Sequence, residues 1–219
     1  MFKNKPVIGI LATSNYLLTE DSFKDTYRYG NNYIKRIVDN GGIPLLIPFY
    51  DNKIIQDTLN MCDGLLLPGG EKVLDVNFDV IDYFYKNNKP ILGICLGMQT
   101  IGMYSIREKR VIKKIDSYID HRHNENYRDN YSYIHDVKID KDSKLYKIFN
   151  KEVFKVNSIH SYCISEVGKE FRVSALSEDG IIEGIEAINK DFVIGIQWHP
   201  EIMDEFNIIF EKFVKACKK

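Results

Sequence analysis

Short apolar runs alternate along the chain with longer segments whose apolar residues recur at helical spacing. Pro6 to Ala12 reads as a first strand, and Asn32 to Asn40 as a helix closed by Gly41-Gly42. Ile43 to Phe49 follows as a strand, Lys53 to Met61 as a helix, and Gly64 to Leu67 as a strand ending in Pro68-Gly69-Gly70. Val76 to Asn87 is the next helix and Pro90 to Ile94 the next strand. Strands that are apolar along their whole length need cover on both faces. A parallel sheet with helical, right-handed crossovers provides that cover. The expected class is α/β, with a mostly parallel central sheet flanked by helices.

The pattern changes after about Met103. Tyr104 to Tyr133 is polar, charged and rich in tyrosine, without a sustained helical or strand period. The remainder is richer in strands: His135 to Ile139, Val153 to Val156, Phe171 to Leu176, Ile181 to Ile188 and Phe192 to Gln197. Ser177-Glu178-Asp179-Gly180 supplies turn chemistry between two of them. Glu205 to Cys217 reads as a closing amphipathic helix. No repeat and no linker divides the chain, so one domain over residues 1–219 is expected.

Composition narrows the function. Lys+Arg 30 against Asp+Glu 31 gives a net charge of −1, which offers no bulk attraction for nucleic acid or an anionic membrane. Hydrophobic content of 44% with 28% charged residues excludes wholesale disorder. No stretch approaches the ~20 apolar residues of a membrane span. The run Val7 to Ala12 is short, and Asn15, Glu20 and Asp21 follow it without a clear cleavage site, so a strand is expected rather than a signal peptide. A cytoplasmic location follows as the default. Cys62, Cys95, Cys163 and Cys217 are widely separated, which argues against a zinc knuckle or a disulfide scaffold.

Pro90-Ile-Leu-Gly-Ile-Cys-Leu-Gly-Met-Gln99 carries the most chemistry. It places Cys95 at a strand-to-helix turn between Gly93 and Gly97, where a nucleophile is exposed at the carboxyl edge of a sheet. The following helix turns its positive end toward the sulfur and favours the thiolate. The Leu96 amide then points where an oxyanion would form. The competing reading is a buried structural cysteine in a tight turn. In Gly195-Ile-Gln-Trp-His-Pro-Glu201, residues two apart in an extended backbone face the same way, so His199 and Glu201 can pair as a base and its orienting carboxylate. The competing reading there is a solvated strand end. Strand carboxyl ends are where open α/β sheets place their sites, which favours Cys95 acting with His199. Gly69-Gly70 ends another strand on that edge and can offer a second backbone donor, although an ordinary turn also fits.

These segments resemble class I glutamine amidotransferase-like proteins, and within them the gamma-glutamyl-gamma-aminobutyrate hydrolase family. The likeness rests on Gly93-Ile-Cys-Leu-Gly-Met-Gln99 and Gln197-Trp-His-Pro-Glu201. It also rests on Asn32-Tyr33 through Gly41-Gly42-Ile-Pro44 and on Val156-Asn-Ser-Ile-His160. The resemblance spans nearly the whole chain. It implies a flavodoxin-like fold, Cys95 as nucleophile, His199 as base and Glu201 as orienting acid. It further implies an oxyanion hole at the Gly70 and Leu96 amides, with Gln99 and His160 near the glutamyl group. Leu96 stands where that family commonly carries Arg, and the stretch after Gly69-Gly70 is short and lacks an Asp-x-Asp-Pro insertion. Ser105-Ile-Arg-Glu-Lys-Arg110 replaces an expected glycine pair, and Ser161-Tyr162 is similar to biosynthetic amidotransferase subunits.

The expected activity is cysteine-dependent hydrolysis of a γ-glutamyl amide through a thioester. Its partner is a small γ-glutamyl substrate, and a homodimer is one assembly open to it. The alternative is a glutaminase subunit that supplies ammonia to a separate synthetase. A third is a binding or regulatory module without turnover. No cofactor is expected. His121, Arg122, His123 and His135 suggest a metal cluster but lack converging spacing, so no metal is expected either. Arg107 to Lys114, balanced by Asp116, Asp120 and Glu125, reads as a solvated face. Trp198 fits core packing or a substrate wall equally well.

Overall fold

The structure, a computed structural model, describes residues 5–14, 27–50, 53–54, 56–122 and 134–218. Its frame is a nine-stranded sheet. In chain order the strands are β1 (Val7–Leu11), β2 (Ile43–Ile47), β3 (Gly64–Leu67), β4 (Ile91–Ile94), β5 (His135–Ile139), β6 (Val153–Val156), β7 (Phe171–Ser177), β8 (Ile182–Ala187) and β9 (Val193–Ile196). Across the sheet they run β6-β5-β7-β8-β9-β4-β3-β1-β2. Pairs among β2, β1, β3, β4 and β9 are parallel, whereas β8, β7, β5 and β6 extend the sheet in antiparallel fashion. The parallel part reverses its order beside β1, giving the doubly wound arrangement of flavodoxin-like sheets.

Residue type explains the layers. Alternate residues of a strand face opposite sides, so β3 sends Leu66 into one core and Leu65 and Leu67 into the other. The helices are α1 (Asn31–Asp39), α2 (Gln56–Asn60), α3 (Asp75–Lys86), α4 (Leu96–Ile106), α5 (Lys144–Phe149) and α6 (Asn207–Ala216). Tyr33 and Ile37 of α1 join Phe210 and Phe213 of α6 in one core. Val80, Phe84, Met98 and Ile101 of α3 and α4 fill the other. β2 ends where Pro48 would interrupt a ladder, and Pro44 is tolerated because β2 is an edge strand. Among the described residues no helix is long and apolar enough to cross a membrane.

Several elements differ from the sequence reading. The helix expected from Lys53 is shorter, because Lys53–Ile54 pairs with Phe49–Tyr50 and only Gln56–Asn60 is helical. The segment expected to be irregular from Tyr104 begins inside α4, which ends at Arg107 with a left-handed φ of 65°. Ile112–Lys114 then pairs with Tyr162–Ile164 as an antiparallel ribbon. His123, Glu125 and the rest of 123–133 lie outside the described residues. Helix α5 was not foreseen, although Ser143 caps it by accepting a 2.9 Å hydrogen bond from the Tyr146 amide.

The turn after β4 depends on close backbone approach. A Cβ on Gly97 would lie 2.1 Å from the Leu67 carbonyl oxygen, and one on Gly93 would lie 2.7 Å from the Gly97 backbone. No side chain fits at either place, so α4 is seated directly on the ends of β3 and β4. Gly97→Ala should therefore lower stability by about 1–3 kcal/mol, the usual cost of overpacking. A urea unfolding midpoint equal to that of the parent would refute this account.

Candidate active site

Cys95 follows β4 and precedes α4 with φ 51° and ψ −107°. A non-glycine residue held there costs on the order of 1–3 kcal/mol. Its neighbours hold it: the Cys95 amide donates to the Ile196 carbonyl at 2.8 Å, and its own carbonyl accepts from the Gln99 amide at 3.0 Å. The first amides of α4 have no carbonyl earlier in the helix to bond. That end carries partial positive charge, which favours negative charge that develops beside it.

His199 lies three residues beyond β9, the neighbour of β4. Its Nδ1 is 2.7 Å from Glu201 Oε1, and its ring sits beside Cys95, the two side chains meeting at Gly69. The His199 amide donates to Asn157 Oδ1 at 2.8 Å, while Asn157 Nδ2 donates to the His199 carbonyl at 2.8 Å. This reciprocal pair fixes the backbone of the histidine. The expected pairing of His199 with Glu201 is present, but the extended backbone assumed for it is not. Glu201 sits in a 3-10 turn, Pro200–Ile202, that brings its carboxylate back to the ring.

Arg36 supports that turn. Its Nε donates to the Glu201 carbonyl at 3.1 Å, and its Nη2 is 2.8 Å from Asp204 Oδ1. Tyr33, one turn earlier on α1, accepts the Gly69 amide at 3.0 Å. Burial, then the Glu201 charge, hold the Tyr33 hydroxyl well above its ordinary pKa, so it stays protonated. Gly69 is the contact point: a Cβ there would lie 2.8 Å from His199 Cε1, 3.0 Å from the Tyr33 hydroxyl and 3.5 Å from Cys95 Cβ. Sequence reasoning gave Tyr33 and Asn157 no role and did not notice Arg36. The signal for the first two lay in Asn32-Tyr33 and Val156-Asn157, which carried only the resemblance.

The other candidates are arranged as follows. Gly70 is exposed beside Gly69, and Leu96 is half-buried at the head of α4. The Gln99 side-chain amide donates to the Tyr162 carbonyl at 2.8 Å and to Gln197 Oε1 at 3.1 Å. His160 is buried, with Nδ1 3.2 Å from the Tyr162 carbonyl and Nε2 3.4 Å from Glu183 Oε1. Burial pushes its pKa down to about 3. Thus the Gln99 amide and His160 Nδ1 are bonded to protein acceptors, and His160 Nε2 faces Glu183 without a hydrogen bond. Trp198 is fully buried against Phe149, Phe154 and Phe206, which makes it core packing.

This cysteine, imidazole and carboxylate arrangement is suited to nucleophilic acyl transfer. The chain matches the Peptidase C26 family over residues 6–80 and 75–201. It belongs to that family, whose proteins are class I glutamine amidotransferase-like, and it is a hydrolytic enzyme. It is 29% identical to a glutamine amidotransferase-like protein of Rickettsia prowazekii, with 99% of each chain covered. It is 27% identical to the Escherichia coli gamma-glutamyl-gamma-aminobutyrate hydrolase PuuD, with 98% of this chain and 94% of that one covered. The fold matches the glutaminase domain of Trypanosoma brucei CTPS, solved with bound acivicin. That match has a TM-score of 0.69 at 18% identity and covers 97% of this chain and 94% of the other. It supports the α/β fold.

Electrostatics separates His199 from an ordinary histidine. Burial alone would lower its pKa, but the Glu201 carboxylate and the Cys95 sulfur together outweigh burial and raise it well above the usual value. His199 should therefore stay protonated above pH ~6.5, where a free imidazole titrates. In Glu201→Gln the main source of the rise is gone, so the midpoint should move to lower pH. Ring proton shifts followed by NMR against pH would measure both. Identical midpoints would remove Glu201 as the source of the shift.

Proposed function

We propose that the chain is a cysteine hydrolase that cleaves a γ-glutamyl amide through a γ-glutamyl thioester on Cys95. The observation that supports this most is the position of His199, bonded to Glu201 and set against Cys95, whose sulfur favours its charge. Its Nδ1 proton is committed to the carboxylate, which leaves Nε2 to exchange a proton with the sulfur or the substrate. The 27% identity to PuuD, a gamma-glutamyl-gamma-aminobutyrate hydrolase, points to the same substrate class.

The sulfur of Cys95, as thiolate, adds to the side-chain carbonyl carbon of the glutamyl group, and the carbonyl electron pair moves to oxygen. The Leu96 and Gly70 amides donate to that oxygen; loss of one such donor typically costs about 100- to 1,000-fold in rate. The carbon–nitrogen bond then breaks as protonated His199 gives its proton to the leaving amine. Water adds to the thioester, neutral His199 accepts its proton, and the thiolate leaves. The sum is amide plus water to glutamate plus amine. Glu201 stabilises the protonated imidazole at each stage.

A second reading, a glutaminase subunit feeding ammonia to a synthetase, draws on Leu96 after the nucleophile and on Ser161-Tyr162. Tyr162 is half exposed, so it is available to a partner surface. The stand-alone reading predicts partner-independent hydrolysis of γ-glutamyl amines or peptides with kcat/KM above that for free glutamine. Activity on glutamine that rises only with an added synthetase would establish the second reading instead.

Cys95→Ala should abolish turnover while the far-ultraviolet circular dichroism and unfolding midpoint stay near those of the parent. Intact mass after rapid quenching should find a γ-glutamyl adduct on the parent and none on the variant. Equal turnover by both would end the thioester scheme. Glu201→Gln should lower kcat by about 100- to 10,000-fold.

A further inference from the structure

Behind His199 lies a second group of histidines that the hydrolytic scheme does not use. His121 precedes the undescribed segment, His135 opens β5, His160 follows β6, and Glu183 is the second residue of β8. All four are buried, and one ligand atom from each lies within 4.8 Å of the others. Glu183 Oε1 is 3.4 Å from His160 Nε2, 3.7 Å from His135 Nε2 and 3.7 Å from His121 Nδ1. The His121 ring centroid is 4.6 Å from that of His135 and 4.9 Å from that of His160.

The outer nitrogens identify the tautomers. His160 Nδ1 meets the Tyr162 carbonyl at 3.2 Å, His135 Nδ1 the Asp136 carbonyl at 3.3 Å, and His121 Nε2 the Asp179 carboxylate at 2.9 Å. Carbonyls and carboxylates only accept, so each of these nitrogens carries a proton. In the neutral form of each ring the inner nitrogen presents a lone pair. Ser158 Oγ lies 3.1 Å from His121 Nδ1, but it also donates to the His121 carbonyl at 2.9 Å. Three lone pairs therefore converge on one carboxylate out of reach of solvent. His135 Nε2, His160 Nε2 and both Glu183 oxygens lack a hydrogen-bond partner among the described residues. Such orphaned groups are costly. One proton on Glu183 would satisfy one lone pair and leave two.

We propose that His121, His135, His160 and Glu183 bind one divalent transition-metal ion, zinc by preference, as a closed structural site. Three imidazoles and a carboxylate suit zinc, whose bonds to nitrogen and oxygen of ~2.0–2.2 Å put tetrahedral ligands about 3.3–3.5 Å apart. The observed separations of 3.4–3.7 Å from Glu183 Oε1 need to contract by a few tenths of an ångström, and the widest pair of ligand atoms, within 4.8 Å, by no more than about 1.5 Å. The outer bonds are those that orient metal-bound histidines: a carboxylate or backbone carbonyl on the far nitrogen. Asp179 is itself held by the Ser117 and Ser177 hydroxyls. With every ligand buried there is no open position, so the ion would be structural.

Its place connects it to the active site. The Glu183 carbonyl accepts the Gln197 amide at 2.9 Å, two residues before His199. The His160 amide and the Ser158 hydroxyl both bond the His121 carbonyl, at 2.8 and 2.9 Å. The segment they belong to begins at Asn157, which grips the His199 backbone. The ion thus ties four separate stretches of chain together behind the His199 imidazole.

The test uses full-length protein carrying Cys95→Ser, which removes the nucleophile sulfur as a rival ligand. Elemental analysis after purification without chelator should find about one zinc per chain. After chelator treatment and dialysis, Co²⁺ should produce a four-coordinate visible band that saturates at one equivalent and disappears when Zn²⁺ is added. Zn²⁺ should also raise the Tm of the stripped protein. Asp179→Asn should weaken Co²⁺ binding by about 10- to 100-fold, and Glu183→Gln should abolish the band. No saturable band and no Zn²⁺-dependent Tm change in protein with the four ligands intact would overturn the site, whatever the variants do. A band unchanged in Glu183→Gln would place the ion elsewhere and overturn it equally.

Discussion

The parallel register of β4 with β9 governs the carboxyl edge of the sheet. Gly93 pairs with Gly195 and Ile94 with Ile196, so both strands end at one level. The next residue of β4's path is Cys95, whose amide closes onto the Ile196 carbonyl. Three residues past Ile196 stands His199. A slip of one residue would send every side chain of a strand to the opposite face and separate the two groups. The register is guarded by lack of space: a Cβ on Gly195 would lie 2.8 Å from Met98 Cγ, and one on Gly97 would meet β3.

Strain at Cys95 is affordable only where many contacts agree. A backbone cost on the order of 1–3 kcal/mol is a sizeable part of the ~5–15 kcal/mol by which a domain is stable. The opposing contacts come from both cores and from a polar shell. Helix α1 supplies Tyr33 and Arg36 three residues apart on one face, the first to the Gly69 amide and the second to the Glu201 carbonyl. Asn157 clasps His199 from the other side of the site. Each anchor acts on backbone rather than on the reacting atoms. Such positioning keeps the side chains free to exchange protons.

Much of this was legible in the chain. Wholly apolar runs such as Gly64 to Leu67 marked the doubly covered strands, because burial on both faces leaves no polar position to confuse the period. The Gly-x-Cys-x-Gly segment was legible because its glycines are steric necessities. His199 and Glu201 were paired correctly from spacing, but for the wrong backbone, since a 3-10 turn and an extended chain both bring residues two apart together. Arg36 was hidden because its partners, Glu201 and Asp204, lie more than 160 residues away along the chain. Of the cluster around Glu183, His121 and His135 stood out as metal candidates, but their convergence with His160 and Glu183 was hidden for the same reason. Its ligands come from four stretches, and no local spacing announces them. Glu183 itself sits with Glu186 in a strand whose six residues are all buried, a burial that its sequence does not announce.

The two histidine systems differ by geometry rather than by residue type. His199 is flanked by a carboxylate and a sulfur that both favour its charge, and these prevail over burial. His160, more deeply buried, has a backbone carbonyl on one nitrogen and no hydrogen-bonded partner on the other, so burial prevails and it stays neutral. A neutral imidazole is a ligand and a protonated one is an acid. One short segment separates them, with Asn157 holding the acid and His160 facing Glu183. Under the proposed hydrolysis and the proposed ion site, the fold uses the same ring as a proton carrier at the strand ends and as a fixed electron-pair donor one layer behind. What distinguishes the two uses is the partner on Nδ1, a carboxylate for His199 and a backbone carbonyl for His160.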